Sequence, residues 1–114
     1  MMALIQLMKL SNIWHQKIYL LGFNMLKILE DLVTLARERK SNPVKGSYTN
    51  KLLEDTSLAK EKVLEEVNEL IEAVEQNSNK IHEAADVLYH LIMYLEKSGI
   101  KIEEVMNELN NRRK

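Results

Sequence analysis

A chain of 114 residues with one proline, three glycines and no cysteine has room for one small domain, and excludes a disulfide framework or a thiolate metal site. Its 16 basic and 17 acidic residues leave a formal charge of −1, which offers no electrostatic footprint for nucleic acid. The longest unbroken apolar run, residues 1–5, falls far short of the roughly 20 residues that span a bilayer, so no membrane partner is expected. Abundant Leu, Ile, Glu and Lys, and the lack of any alternating apolar and polar stretch, predict an all-α protein, an antiparallel helical bundle. The absence of cysteine suits a reducing, cytoplasmic setting.

Residues 1–24 stand apart, with Lys9 and Lys17 but no acidic residue. Leu4, Leu7, Met8, Ile13, Trp14, Ile18 and Leu21 are spaced for a helical stripe that breaks at Gly22. Without arginine or a compact apolar core ending in a cleavage site, this atypical leader reads as an extra helix or as residues ahead of a true start at Met25, rather than as a targeting peptide. The domain proper is expected over residues 25–114.

From Met25 onwards Leu26, Leu29, Leu32, Val33 and Leu35 or Ala36 recur at three and four, which predicts an amphipathic helix over residues 25–40, stopped ahead of Pro43. The basic cluster Arg37, Arg39 and Lys40 suits a helix C-terminus. Residues 44–50, with Gly46, read as a loop, and residues 51–55 as a short helical turn. Hydroxyls, backbone N–H groups and Lys51 give this loop the ingredients for gripping an anion; an ordinary turn with Thr49 as N-cap accounts for them equally. Ser57 is the expected N-cap of a long helix reaching Gln76. Asn77, Ser78 and Asn79 supply its stop and the next start. A further helix over residues 80–97 ends at Ser98 and Gly99, and Ile102, Val105, Met106 and Leu109 mark the last one, closed by the basic end Arg112, Arg113 and Lys114. Residues 88–95, L-Y-H-L-I-M-Y-L, are apolar almost all round; in so small a protein the second apolar side predicts another subunit, hence a homodimer.

Chemistry concentrates in residues 62–86. Val63, Val67, Leu70 and Val74 centre one helical face, with Lys62, Glu66 and Glu69 on its flank and Glu65 just beyond. Glu83, Asp86 and His90 form a similar column on the next helix. If the two helices fold back on each other, E-x-x-E faces E-x-x-D and hard oxygen ligands converge, which is a place for Mg²⁺ and so for phosphate chemistry. Against that, acids early in a helix offset its macrodipole, and Glu72 and Glu75 read as solvated. His82 and His90 lie about 80° apart on a wheel of 100° per residue, so they make no transition-metal pair; His90 reads as a hydrogen-bonded core residue.

G-S-Y-T-N-K-L at 46–52, K-V-L-E-E-V-N-E at 62–69 and E-A-A-D-V-L-Y-H-L at 83–91 together resemble the phosphoribosyl-ATP pyrophosphohydrolase family, within the all-α nucleoside triphosphate pyrophosphohydrolases. The paired acidic motifs indicate the superfamily; the S-Y-T-x-K-L loop together with A-D-x-L-Y-H-L narrows the resemblance to this member. The resemblance implies Mg²⁺ ligation by Glu66, Glu69, Glu83 and Asp86, with Glu65 or Glu66 activating water. It makes Lys62, Ser47, Tyr48 and Lys51 candidates for the phosphates of a nucleotide substrate. It also implies a dimer, and a reaction that splits phosphoribosyl-ATP into phosphoribosyl-AMP and pyrophosphate in the second step of histidine biosynthesis. Leu64, Val67 and Asn68 depart from the family pattern without removing a carboxylate. The rival expectations are a house-cleaning pyrophosphohydrolase for another nucleoside triphosphate and a non-catalytic helical dimerisation module.

Overall fold

The computed structural model describes residues 26–113, and all their regular structure is helical. The elements are α1 (Lys27–Ser41), α2 (Tyr48–Glu54), α3 (Thr56–Gln76), α4 (Lys80–Lys97) and α5 (Ile102–Arg112). By its internal contacts the chain divides into Met1–Asp31 and Leu32–Lys114. Of the first unit only residues 26–31 are described, the opening of α1, where Lys27 pairs with Asp31 at 3.1 Å. The expectations for residues 1–25 lie outside the described residues.

The second unit is organised around the hairpin of α3 and α4, with α2 packed against both and α5 against the end of α4. Its turn is tight because Asn77 and Asn79 both adopt the left-handed conformation (φ 52° and 55°), which asparagine tolerates better than other residues with a Cβ. Ser78 N–H donates to the Ala73 carbonyl at 3.0 Å, closing the helix end. At the other end of α4, Gly99 takes φ 74° and Ile100 N–H reaches the Leu95 carbonyl at 2.9 Å. These stops fall where the sequence places them.

The start of α3 does not. Asp55, not Ser57, is the N-cap: its Oδ1 accepts from Leu58 N–H at 3.0 Å while its own N–H donates to the Lys51 carbonyl, so one residue ends α2 and begins α3. A carboxylate there also opposes the positive end of the helix dipole. Likewise the loop is shorter than expected. Ser47, not Thr49, caps α2, and residues 48–50, expected to be irregular, are helical.

The core of this unit is Val33, Ala36, Leu52, Leu53, Ala59, Ala73, Ile92 and Met93. The inner face of α3 differs from the expected one. Ala59, Glu66 and Ala73 are its buried residues, whereas Val67 and Val74 of the expected apolar face are exposed, with Leu64 and Ile71 beside them. The helix is turned by roughly 70° about its axis, at 100° per residue, so a carboxylate faces α4 and the apolar stripe faces outward.

Basic residues of α1 are not merely a favourable end charge. Arg37 reaches the buried Glu96 of α4 at 3.0 Å and Glu103 of α5 at 2.6 Å, tying three helices. Lys40 donates to the Glu96 carbonyl and Lys97 to the Leu53 carbonyl, each satisfying an orphan acceptor near a helix end. Arg37→Ala strands the Glu96 carboxylate in a buried site and is expected to lower the thermal unfolding midpoint by several degrees, more than Glu103→Ala does. Arg37 holds the Glu103 carboxyl down to about 2. The contribution of that pair is therefore complete above about pH 4.5, the ordinary carboxylate value, and fades as pH falls towards 2. Thermal melts of both variants across that range check the order and the direction.

Candidate metal and substrate site

The turn between α3 and α4 brings carboxylates together from the two sides of the hairpin. Glu66, Glu69 and Glu83 each offer an oxygen, all within 4.8 Å of one another. Glu66 is only 7% exposed, and the Oε2 atoms of both Glu66 and Glu83 are buried without a hydrogen-bond partner. Buried carboxylate oxygens without a partner are costly. Two such oxygens in a group of three convergent carboxylates ask for a positive charge.

Proton affinity reflects the same crowding. Burial, a hydrogen bond to Glu69 and the charges of Glu69, Asp86 and Glu65 push the Glu66 carboxyl up to about 7. Glu83 is pushed up by burial and by Glu69. In the metal-free protein a proton held between Glu66 and Glu69 thus stands where a cation would sit.

Asp86 belongs to a second group, in which its carboxylate, Glu83 and His82 lie within 4.8 Å of one another. His82 Nε2 stands 3.3 Å from Asp86 Oδ2. Glu83 is common to both groups, so the four acids form one connected cluster whose Asp86 end is covered by an exposed histidine. Sequence reasoning passed over His82 because it was weighed against His90; the spacing H-x-x-x-D, one helical turn, was the available signal. Beside Glu69 and Glu83 a cleft of about 150 Å³ opens, lined also by Glu72, Gln76, Ser78 and Asn79.

The remaining candidates lie on the other side of Glu66. Lys62 pairs with Glu65 at 2.9 Å, both on the outer flank of α3. Tyr48 opens α2; burial raises its hydroxyl, Lys62 lowers it, and Glu66 and Glu65 raise it, so the tyrosine shares the electrostatic environment of the acids. Ser47 Oγ is taken up by the Asn50 N–H and by Arg39 Nη1 at 2.7 Å. Lys51 is exposed on α2. His90 is buried and hydrogen-bonded, as expected: Nδ1 lies 2.7 Å from the Asp86 carbonyl and Nε2 2.9 Å from Tyr48 Oη.

An all-helical hairpin that gathers acids from both arms, with a lysine and a tyrosine alongside, defines a class: helical bundles that carry an acidic cluster between two antiparallel helices. Within that class the chain belongs to the phosphoribosyl-ATP pyrophosphohydrolase family, whose model matches residues 29–113. It is 40% identical over 95 residues to the phosphoribosyl-ATP pyrophosphatase of Clostridium novyi, covering 78% of this chain and 84% of that one. To the enzyme of the same name from Methanobrevibacter smithii it is 32% identical, over 76% of this chain and 95% of the other. It is also 43% identical to the histidine biosynthesis bifunctional protein HisIE of Pyrococcus furiosus, covering 78% of this chain but only 43% of that longer protein. No solved structure matches the chain.

Because Glu66 binds its proton more tightly folded, near 7, than unfolded, near 4.5, the metal-free protein loses stability as pH rises between those values. Glu66→Gln is expected to remove most of this slope and to raise metal-free stability above pH 7 by on the order of 2 kcal/mol. Urea unfolding of both proteins in a chelator at pH 5 and pH 8 measures it.

Proposed function

We propose that this chain hydrolyses phosphoribosyl-ATP between its α- and β-phosphates, releasing phosphoribosyl-AMP and pyrophosphate, with Mg²⁺ as cofactor. On this reading residues 25–114 are the catalytic domain, and the setting is cytoplasmic histidine biosynthesis. The observation that carries it is the set of convergent oxygens from Glu66, Glu69 and Glu83, two of them buried and unpartnered, in a chain of this family. That donor set fits a hard cation: the atoms are all carboxylate oxygens, and the spacing suits ligands around one ion.

Glu66, Glu69, Glu83 and Asp86 would hold the ion. When bound, it neutralises the polyphosphate and the charge that grows on the leaving pyrophosphate. The residues do the rest. Lys62, one helical turn before Glu66 and paired with Glu65, supplies a positive point charge for a phosphate oxygen. Lys51, exposed on α2, supplies a second, and Ser47, whose Oγ accepts from Asn50 N–H and Arg39 Nη1, keeps its own O–H to donate to a phosphate oxygen. Water attacks phosphorus as the bridging oxygen leaves with pyrophosphate, and its proton needs an acceptor tuned near neutrality. Glu65, paired with Lys62 and outside the set that would hold the ion, and Glu66, at the buried end of that set, are the two carboxylates placed for that role.

The active form is a homodimer on the same reading. Leu64 and Val74 of α3 are each 57% exposed, with Val67 and Ile71 in the same stripe, and Ile81, Leu88 and Leu91 of α4 are also uncovered. A stripe of this length on a helix whose other faces are acidic or already packed favours a second copy as its cover.

Pyrophosphate release from phosphoribosyl-ATP is expected to require Mg²⁺. Glu69→Ala and Asp86→Ala should each lower kcat/KM by at least ~100-fold while leaving the far-ultraviolet circular dichroism unchanged, since loss even of a group that orients a metal ligand costs 10- to 100-fold. Ordinary nucleoside triphosphates assayed side by side should turn over far more slowly; equal rates would instead favour a house-cleaning enzyme. Ile71→Glu, in the middle of the exposed stripe, is expected to shift the protein from dimer to monomer in analytical ultracentrifugation.

A further inference from the structure

Two of the sequence motifs are paired with each other. Consecutive residues at the start of α2, Tyr48 and Thr49, meet consecutive residues of α4, His90 and Tyr89: Tyr48 Oη lies 2.9 Å from His90 Nε2, and Thr49 Oγ1 2.5 Å from Tyr89 Oη. The rings interlock, with Tyr48 and Tyr89 stacked at 6.4 Å and both edge-on to His90 at 5.8 and 5.1 Å. Ser47 and Asn50, on either side, are fastened to α1 and the preceding loop by bonds to Arg39 and Val44. The S-Y-T-N segment is therefore held at every residue.

The direction of the Tyr48 bond follows from His90. A backbone carbonyl can only accept, so the Nδ1 that faces the Asp86 carbonyl at 2.7 Å carries the ring's proton, and in the neutral imidazole Nε2 is then an acceptor. Tyr48 must donate to it. With its one proton committed, Tyr48 Oη keeps only acceptor capacity, and among the described residues His90 is its sole hydrogen-bond partner. Tyr48 is 43% exposed, and Lys62, Glu66 and Glu65 lie near enough for their charges to act on its hydroxyl.

We propose that His90 is a positioning residue which turns Tyr48 into a hydrogen-bond acceptor for a substrate donor, of the class of a sugar hydroxyl or a base amino group, and not a donor to phosphate. An ionised phosphate has no proton to give to such an oxygen, so the phosphates are left to Lys62, Lys51, Ser47 and the ion, and Tyr48 reads the nucleoside end. This refines the tyrosine's expected role as a phosphate contact, and it rests on the pyrophosphohydrolase reading above.

Steady-state kinetics on phosphoribosyl-ATP test it. Tyr48→Phe is expected to raise KM about tenfold, the scale of one hydrogen bond, and to lower kcat by far less. His90→Gln, whose amide oxygen can take the Tyr48 proton at the Nε2 position, should stay near the wild-type KM. His90→Asn, which reaches only the Asp86 carbonyl, should match Tyr48→Phe, and adding Tyr48→Phe to it should cost nothing more. Stabilisation by Mg²⁺ in thermal melts should be retained in all four variants, separating this role from metal binding and from folding. An active wild type whose KM is indifferent to Tyr48→Phe, or additive losses in the double variant, overturns the positioning role alone. A wild type that releases no pyrophosphate overturns the enzymatic reading and this inference with it.

Discussion

A carboxylate facing the partner helix is the constraint on which the rest of this structure depends. Helix pairs ordinarily bury their apolar stripes against each other, yet α3 turns Glu66 towards α4 and leaves Leu64, Val67, Ile71 and Val74 outside. Glu69 and Glu83 add acids at the same level. Like charges so close cannot all be ionised without a counter-charge, and the metal-free protein answers with a raised proton affinity at Glu66. If a cation takes the place of that proton, as proposed, stability and ligand affinity are linked through the same oxygens.

The surrounding elements hold this unfavourable arrangement in place. Left-handed Asn77 and Asn79 set the register of the hairpin, so Glu69 and Glu83 meet near the turn. Further along, Tyr48 and Thr49 fasten α2 to Tyr89 and His90, and His90 in turn grips the Asp86 carbonyl one turn back. At the far end Arg37 joins α1, α4 and α5 through Glu96 and Glu103. Each of these links is polar and directional, so each specifies one geometry where apolar packing alone would tolerate sliding. The small buried core, with only Leu52 and Met93 as large fully buried side chains among the described residues, makes that specification more necessary.

Much of this was legible in the sequence, for identifiable reasons. Helix ends are written locally: Pro43, Asn77 and Ser98-Gly99 stop helices through their own backbone preferences, and the stops fall where those residues stand. Acids three apart on a helix share a face by geometry alone, so the juxtaposition of Glu66, Glu69 and Glu83 needed only a short turn to follow. Competing caps were harder, since Asp55 and Ser57, or Ser47 and Thr49, are all competent, and the choice depends on what the neighbouring helix end requires. Pairings across forty residues, such as Tyr48 with His90 or Arg37 with Glu96, leave no local trace. Nor could periodicity give the phase of α3. An apolar stripe marks a face that seeks cover, but not whether the cover comes from the same chain.

That ambiguity bears on how the site works. The acidic and apolar faces of α3 diverge by roughly 120° on a wheel of 100° per residue, so one helix presents its carboxylates to α4 and its Leu64, Val67, Ile71 and Val74 stripe elsewhere. If a second copy covers the stripe, the rotation that brings Glu66 inward no longer leaves apolar surface in water, and the cost of the acidic interior is offset by burial at the interface. On the proposed reading, assembly and cation binding would favour the same rotational setting of α3, and each would strengthen the other even though they act on different faces of the helix.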